Sequence, residues 1–276
     1  MTLALASIHI YPIKSLGGYS VESAQIKSRG LEHDRRWMLI DHNGRFLSQR
    51  EYGELACLHV SPIADRMRVV DIRNGEELRS QWTLDHGETV RVRIWDDTLD
   101  AILAPNEICD WFSHRTIAGT RLVYMPDSSV RPTDPKFAQS QTSLSDGYPF
   151  LLISQSSLDD LNERINSGNT DDSNYSVIPM ERFRPNFVIE GGEPYQEDDW
   201  KEISIGKTRF DLVKRCARCV IPTTDQRTGK RTKEPSQTLA TYRKRVTLEG
   251  AVKVEFGMNA ICLNGNEVHV GDLVTV

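Results

Sequence analysis

The pair Cys216-Ala-Arg-Cys219 is where side chains at a defined spacing could first carry chemistry in this chain of 276 residues. A thioredoxin-type redox pair needs its first cysteine at a helix N-terminus, where the dipole lowers the thiol pKa. Here the pair follows a strand-like run at 210–213 and precedes Val220-Ile221-Pro222, and proline disrupts a helix at that place. A structural zinc site needs four ligands, as a rule with a second Cys or His pair close by. The chain has no other C-x-x-C, and no two of its seven histidines stand at H-x3–5-H spacing. The third reading, two buried small residues, is the one that spacing alone favours.

The neighbourhood adds charge to that choice. Residues 207–233 hold nine Lys or Arg against two acids, Asp211 and Asp225, a local +7. The whole chain stands at −5, so the other residues carry −12. Lys214, Arg215 and Arg218 flank the cysteines and favour the thiolate, the form that attacks or binds metal. A thiolate without companion imidazoles suits a soft or high-valent metal already held by other ligands. The same alternation of basic residues also suits an ordinary solvated strand face.

Two further polar segments interrupt apolar patterns. Tyr11-Pro12-Ile13-Lys14-Ser15 runs into Gly17-Gly18, a setting for backbone and lysine contacts with an anion. Arg182-Phe183-Arg184-Pro185-Asn186 precedes the apolar run 187–190. Pro185 confines Arg184 to extended backbone and so fixes where its guanidinium points.

These segments sit among elements with the two-residue period of strands. Val90, Val92 and Ile94 alternate with Arg91 and Arg93, and comparable runs lie at 3–11, 36–41, 67–72, 186–190, 203–213 and 268–276. Asn43-Gly44, Asn74-Gly75, Gly191-Gly192 and Asn264-Gly265 are turn signals between them. Helical spacing is confined to 105–118, 154–167 and 235–243. The stretch 126–149 is rich in Pro, Ser and Asp and reads as a connector, and 167–174 as a surface loop. The expected architecture is mainly β (α+β), barrel-like, with few helices, divided into residues 1–125 and 126–276.

Composition narrows the function classes. Hydrophobic residues at 38% and charged residues at 26% fit a folded globular protein. Mean hydropathy is −0.45, and no apolar run approaches the length of a membrane span. The apolar start carries Ser7 and His9 and lacks a basic region, so it reads as a strand rather than a signal peptide. A pI near 5.8 argues against a nucleic-acid partner. Five cysteines, an odd number, argue against a disulfide scaffold and for a reducing, cytoplasmic compartment.

Taken together, six ordered motifs resemble the MOSC-domain proteins. They are the 11–15 segment, Asp34-Arg35, Asp146-Gly147-Tyr148-Pro149-Phe150, the 182–186 segment, Arg218-Cys219 with Thr223, Asp225 and Thr228-Gly229, and Val270-Gly271-Asp272. The resemblance is to the two-part branch with an N-terminal β-barrel domain, which includes the mitochondrial amidoxime-reducing component and its bacterial counterparts. It implies a MOSC β-barrel plus a smaller β-rich N-terminal domain, and a molybdenum cofactor (Mo-molybdopterin) held by one cysteine. The matching cysteine is Cys219, not Cys216. Lys14, Ser15, Arg35, Arg184 and Asn186 match positions that hold the pterin or its phosphate. Asp146, Gly147 and Tyr148 would contribute mainly through their backbone, and Asp225 matches an acidic residue close to the metal.

The implied reaction is reductive removal of oxygen from a small N-hydroxylated compound. The chain has no GxGxxG motif and no iron–sulfur cysteine cluster, so the electrons would come from a separate flavin or iron–sulfur protein. Some bacterial relatives continue into a ferredoxin-like domain, so the alternative is that this sequence is part of a longer protein; no membrane anchor is expected. Pro222 stands where a relative has a hydroxyl residue, a departure within the pocket. Other MOSC domains end the molybdenum-cofactor sulfurases, so the rival reading is a carrier of the cofactor or of sulfur.

Overall fold

Alternating apolar and polar residues build most of this chain into strands. The computed structural model describes residues 2–168, 177–247 and 250–276. Among these it contains nineteen β-strands and three α-helices: α1 (Asn106–Ser113), α2 (Gln155–Gly168) and α3 (Ser236–Tyr242). The mainly β architecture expected from sequence is the one observed.

The largest sheet runs in the order Val274–Thr275, Glu202–Ile205, Thr208–Ala217, Val252–Asn264, Phe150–Ser154, Phe187–Glu190, Ala4–Ile10, Tyr19–Val21, with Lys244–Val246 added beside Val252–Asn264. Its one parallel pair joins Phe150–Ser154 to Phe187–Glu190, and α2 lies in the connection between them. On one side of this sheet Phe150, Phe187 and Phe210 pack ring against ring at 5.2–5.5 Å, together with Leu5, Ile8 and Val268. On another, α2 and α3 bury Leu161 and Leu239 against Phe183 and Phe256. Buried Glu197 accepts hydrogen bonds from the hydroxyls of Ser154 and Ser157 at 2.8 Å, tying the first turn of α2 to the sheet.

Residues 37–124 supply two smaller sheets. One orders Trp37–Ile40, Arg121–Tyr124, Asp97–Leu103 and Thr89–Ile94, and the other Leu58–Ile63, Arg66–Asp71 and Glu77–Ser80. Phe112 of α1 closes their core with Trp37 and Leu122.

A division at 125/126 does not separate the sheets. The strand Ala4–Ile10 pairs with Phe187–Glu190, and Ser23–Lys27 pairs with Glu267–His269. Leu5, Ile26 and Leu31 therefore share a core with residues 150–274. The connector 126–149 contains no strand and is held by two buried arginines. Arg29 donates to the carbonyls of Asp127 and Ser129. Arg131 donates to those of Ser143, Ser145 and Asp146 and to the Asp97 carboxylate.

Three segments differ in detail from the sequence expectation. The run 203–213 is a hairpin that turns at Gly206, where φ is +57° and a Cβ would meet the Asp272 carboxylate at 2.8 Å. The run 268–276 splits into Glu267–His269 and Val274–Thr275. The longest strand, Val252–Asn264, was not among the expected runs. Its even positions from 252 to 262 are apolar, but Gly257 interrupts the pattern at φ +81°. Of the loop expected at 167–174, Ser167 and Gly168 complete α2, and 169–174 lie outside the described residues. No helix among the described residues is long and apolar enough to cross a membrane.

Candidate functional site

A cleft opens where the 11–16 loop, the connector, the 182–186 segment and the 216–221 loop meet. Lys14, Ser15, Arg35, Asp146, Gly147, Tyr148, Arg184, Asn186, Cys216 and Cys219 all reach it. Three of these residues hold left-handed backbone: Ser15 at φ +68°, Arg35 at +48° and Arg184 at +60°. Such conformations are costly for residues other than glycine and persist where surrounding contacts fix them. For Arg184 this corrects the extended backbone expected before Pro185. The reason is local: the 3-10 turn Met180–Arg182 ends there, and the Arg184 N–H donates to the Glu181 carbonyl.

The cations of the cleft are engaged to different degrees. The Arg35 guanidinium is fully committed, donating to Asp34 at 2.6 Å, to the Asn186 side chain at 3.1 Å and to the Arg184 carbonyl at 3.0 Å. The Asn186 amide is committed as well, because it also donates to the His9 carbonyl. Arg184 donates through Nη1 to the Leu16 carbonyl at 2.6 Å, while its Nη2 is buried without a partner. Both guanidiniums lie over the Tyr11 ring, Arg184 at 4.3 Å and Arg35 at 4.5 Å from its centroid. Burial, and then the charge of Arg35, pull the pKa of Arg184 down to about 10. Burial pushes the Tyr11 hydroxyl up to about 12.

On the opposite wall the Lys14 amine donates to Asp146 at 2.6 Å, and Arg50 donates to the other carboxylate oxygen at 2.9 Å. Burial outweighs this pairing for Lys14 and lowers its pKa to about 8. Desolvation opposes the charge of Asp146, yet Lys14 and Arg50 hold it well below the usual carboxylate range. The Asp146 side chain is thus engaged by Lys14 and Arg50. Gly147 leaves the space beside it open: a Cβ built there would meet nothing within 4 Å.

The two cysteines differ in their surroundings. Cys216 accepts a hydrogen bond from Arg218 at 3.1 Å, and burial pushes its thiol up against that cation. Cys219 accepts from the Ile221 N–H at 3.5 Å and lies within electrostatic reach of Arg50. Both are free thiols, and the described residues contain no His/Cys/Asp/Glu group able to hold a metal by themselves.

Asp225 is the one expected site residue outside this cleft. Its Oδ1 accepts from the backbone of Arg227 and Thr228 and from the Thr228 hydroxyl, and its Oδ2 from Arg182 at 3.0 Å. That carboxylate is occupied in building a loop. Arg50 and Arg131, by contrast, shape the cleft from positions that no motif marks. Arg50 pairs with Asp146, and Arg131 holds the backbone on which Asp146 stands.

Two family descriptions match the chain, the MOSC N-terminal beta barrel domain over residues 2–117 and the MOSC domain over residues 139–275. The chain is 31% identical to the molybdenum cofactor sulfurase of Oryza sativa subsp. japonica, over 99% of this chain and 34% of that protein. It is 29% identical to the mitochondrial amidoxime-reducing component 1 of Mus musculus, over 98% of this chain and 81% of that protein. Identity to the human form of the latter is 28%, over 98% and 82%. The chain thus spans about a third of the length of the sulfurases it matches.

Proposed function

The chain belongs to the MOSC-domain family, and from that premise we propose that its cationic cleft binds a molybdenum cofactor and reduces small N-hydroxylated compounds. The observation that carries this reading is the unsatisfied Nη2 of Arg184, buried on the wall of a cleft that also holds Lys14 and a free Cys219 thiol. A buried cationic donor without an acceptor is costly and calls for an anionic partner. The phosphate of a pterin supplies one. The residues fit the group: Lys14 and Arg184 would hold the phosphate, Gly147 leaves room beside it, and Cys219 would give a soft thiolate to the metal.

The cofactor, when bound, would supply the two-electron chemistry of N–O cleavage. The chain's own residues do the positioning. Arg35 and Asn186 hold the Arg184 backbone in its left-handed turn, so that Arg184 faces the cleft. Arg131 and Lys14 fix the Asp146 loop on the other side. The net reaction takes one N-hydroxylated substrate, two electrons and two protons to the N–H compound and water. The electrons would come from a separate redox protein.

Coverage of 81% of the mouse amidoxime-reducing component supports the reductase over a carrier, whereas only a third of the sulfurases is matched. The carrier remains the second reading because those sulfurases are 31% identical. Protein produced in a molybdopterin-synthesising host should hold about one molybdenum per chain. It should reduce benzamidoxime with reduced viologen and be inert with NADH alone. Cys219→Ala should lose both metal and turnover, whereas Cys216→Ala should keep most of each. Fully loaded protein that leaves several N-hydroxylated compounds untouched, yet passes its cofactor to an apo-enzyme, would establish the carrier instead.

A further inference from the structure

Residues 227–233 lie outside the cleft lining and pack beside residues 49–50. They carry Arg227, Lys230, Arg231 and Lys233 and no acid, and all four are exposed. Among the described residues none of the four makes an ion pair. The segment is seated against the opposite half of the molecule. Arg231 donates to the carbonyls of Gln49, at 2.7 Å, and of Arg50. Gly229 lies so near Gly53 that a Cβ on Gly53 would meet its carbonyl oxygen at 2.3 Å. Arg50, whose carbonyl Arg231 holds, itself reaches Asp146 and lies within electrostatic reach of Cys219.

Two large apolar side chains stand uncovered on the same rim. Val220, next to Cys219, is 45% exposed, and Trp95 is 39% exposed with the Arg50 guanidinium 4.4 Å above its ring. Trp95 occupies a hairpin tip at φ +55°, a conformation unfavourable for an aromatic residue. Uncompensated like charges repel one another, and on a chain of net charge −5 such a cluster runs against the overall balance. Cations framing exposed apolar groups are the arrangement of a protein docking face, where charge sets the encounter rate and apolar groups the contact.

Resting on the reductase reading, we infer that this rim, Arg227 to Lys233 with Val220 and Trp95, is the docking face for an electron-donor protein with an acidic surface. The reaction needs two electrons that the chain has no motif to obtain for itself. Two one-electron donors would each be oxidised once. Their electrons, with two protons from solvent, convert the N-hydroxyl compound to the N–H compound and water.

The test uses cofactor-loaded protein and, as probe, an acidic [2Fe–2S] ferredoxin. Binding is measured by calorimetry and turnover with either reduced ferredoxin or reduced viologen. The variant Lys230→Glu/Lys233→Glu is informative because neither lysine side chain makes a hydrogen bond or ion pair among the described residues. Ferredoxin should bind the unmodified protein with an affinity that falls steeply with salt. The double variant should bind about tenfold more weakly or worse and lose ferredoxin-driven turnover in proportion, with viologen-driven turnover unchanged. Absent binding, salt-independent binding, or equal binding by the variant would each overturn the docking face. Tighter binding of a DNA duplex than of ferredoxin would overturn it too and assign the rim to polyanions. Absence of turnover with either donor, with salt-dependent ferredoxin binding and its loss in the double variant both observed, would instead sink the reductase reading and leave the rim as a docking face for an acidic protein.

Discussion

Lys14 and Asp146 meet at 2.6 Å on one wall of the cleft, joining the loop after the first strand to the end of the connector. Because burial outweighs this pairing, Lys14 titrates near 8. An anion bound beside it favours the protonated amine, so above that pH binding must take up a proton. Affinity for a phosphate-bearing ligand should therefore be constant below about pH 8 and fall as the pH rises further, approaching tenfold per unit. In Lys14→Arg the guanidinium keeps its charge and the fall should vanish. Pterin retention measured by dialysis across pH 6–10 checks this, and a flat profile in the unmodified protein would detach Lys14 from the anion.

Arg184 is expected to matter for retention rather than for folding. Charge-assisted hydrogen bonds contribute roughly 1.5–3 kcal/mol, so Arg184→Ala should weaken pterin binding about tenfold or more. Quantified pterin release is the measurement. An unchanged value would return Arg184 to a purely structural role.

Gly147 gives a complementary case. Its backbone is outside the left-handed region and a Cβ there meets nothing within 4 Å, so Gly147→Leu costs no strain. The variant should melt at the same temperature as the unmodified protein while losing its cofactor, because the added side chain fills the cleft. A loss of Tm would show that glycine is needed by the fold itself.

The hydroxyl of Tyr11 is buried without a partner. Its ring meanwhile serves two guanidiniums. Tyr11→Phe retains the ring and removes the unsatisfied group, so stability should be unchanged or higher by up to about 1 kcal/mol. Urea denaturation decides it, and a clear loss of stability would mean that the hydroxyl has a partner after all.

Arg131→Met should be the most damaging of these changes away from the cleft cations. It strips three buried carbonyls and the Asp97 carboxylate of one shared donor. A loss of about 3 kcal/mol is expected, read from the denaturation midpoint. A shift under 1 kcal/mol would show that the connector holds its shape without it.

The reach of the sequence can be judged from these same residues. That Lys14, Arg184, Asn186 and Cys219 line one cleft was anticipated by the resemblance of their motifs, not by any local spacing. Arg50 and Arg131 were not, because their roles depend on contacts with the Asp146 loop that no local spacing encodes. Asp225 carries a local signal that spacing does encode. It was expected near the metal, yet Asp-x-x-Thr is also the pattern of a side chain capping its own turn, and that is how the carboxylate is spent. The strand content was readable from alternation. The pairing of residues 4–10 with 187–190 across the expected boundary was not, since it leaves no trace in composition.

That pairing bears on how the molecule is made. During synthesis the strand Ala4–Ile10 emerges long before its partner Phe187–Glu190. At ribosomal speeds of roughly 5–20 residues per second, the delay is on the order of ten seconds or more. Throughout it, Leu5 and Ile8, fully buried in the finished protein, have no core to enter. Lys14 and Arg35 likewise cannot face Arg184 until that residue exists. The apolar face of the first strand thus stays uncovered until late in synthesis, and the cleft is complete only after Cys219 has followed Arg184.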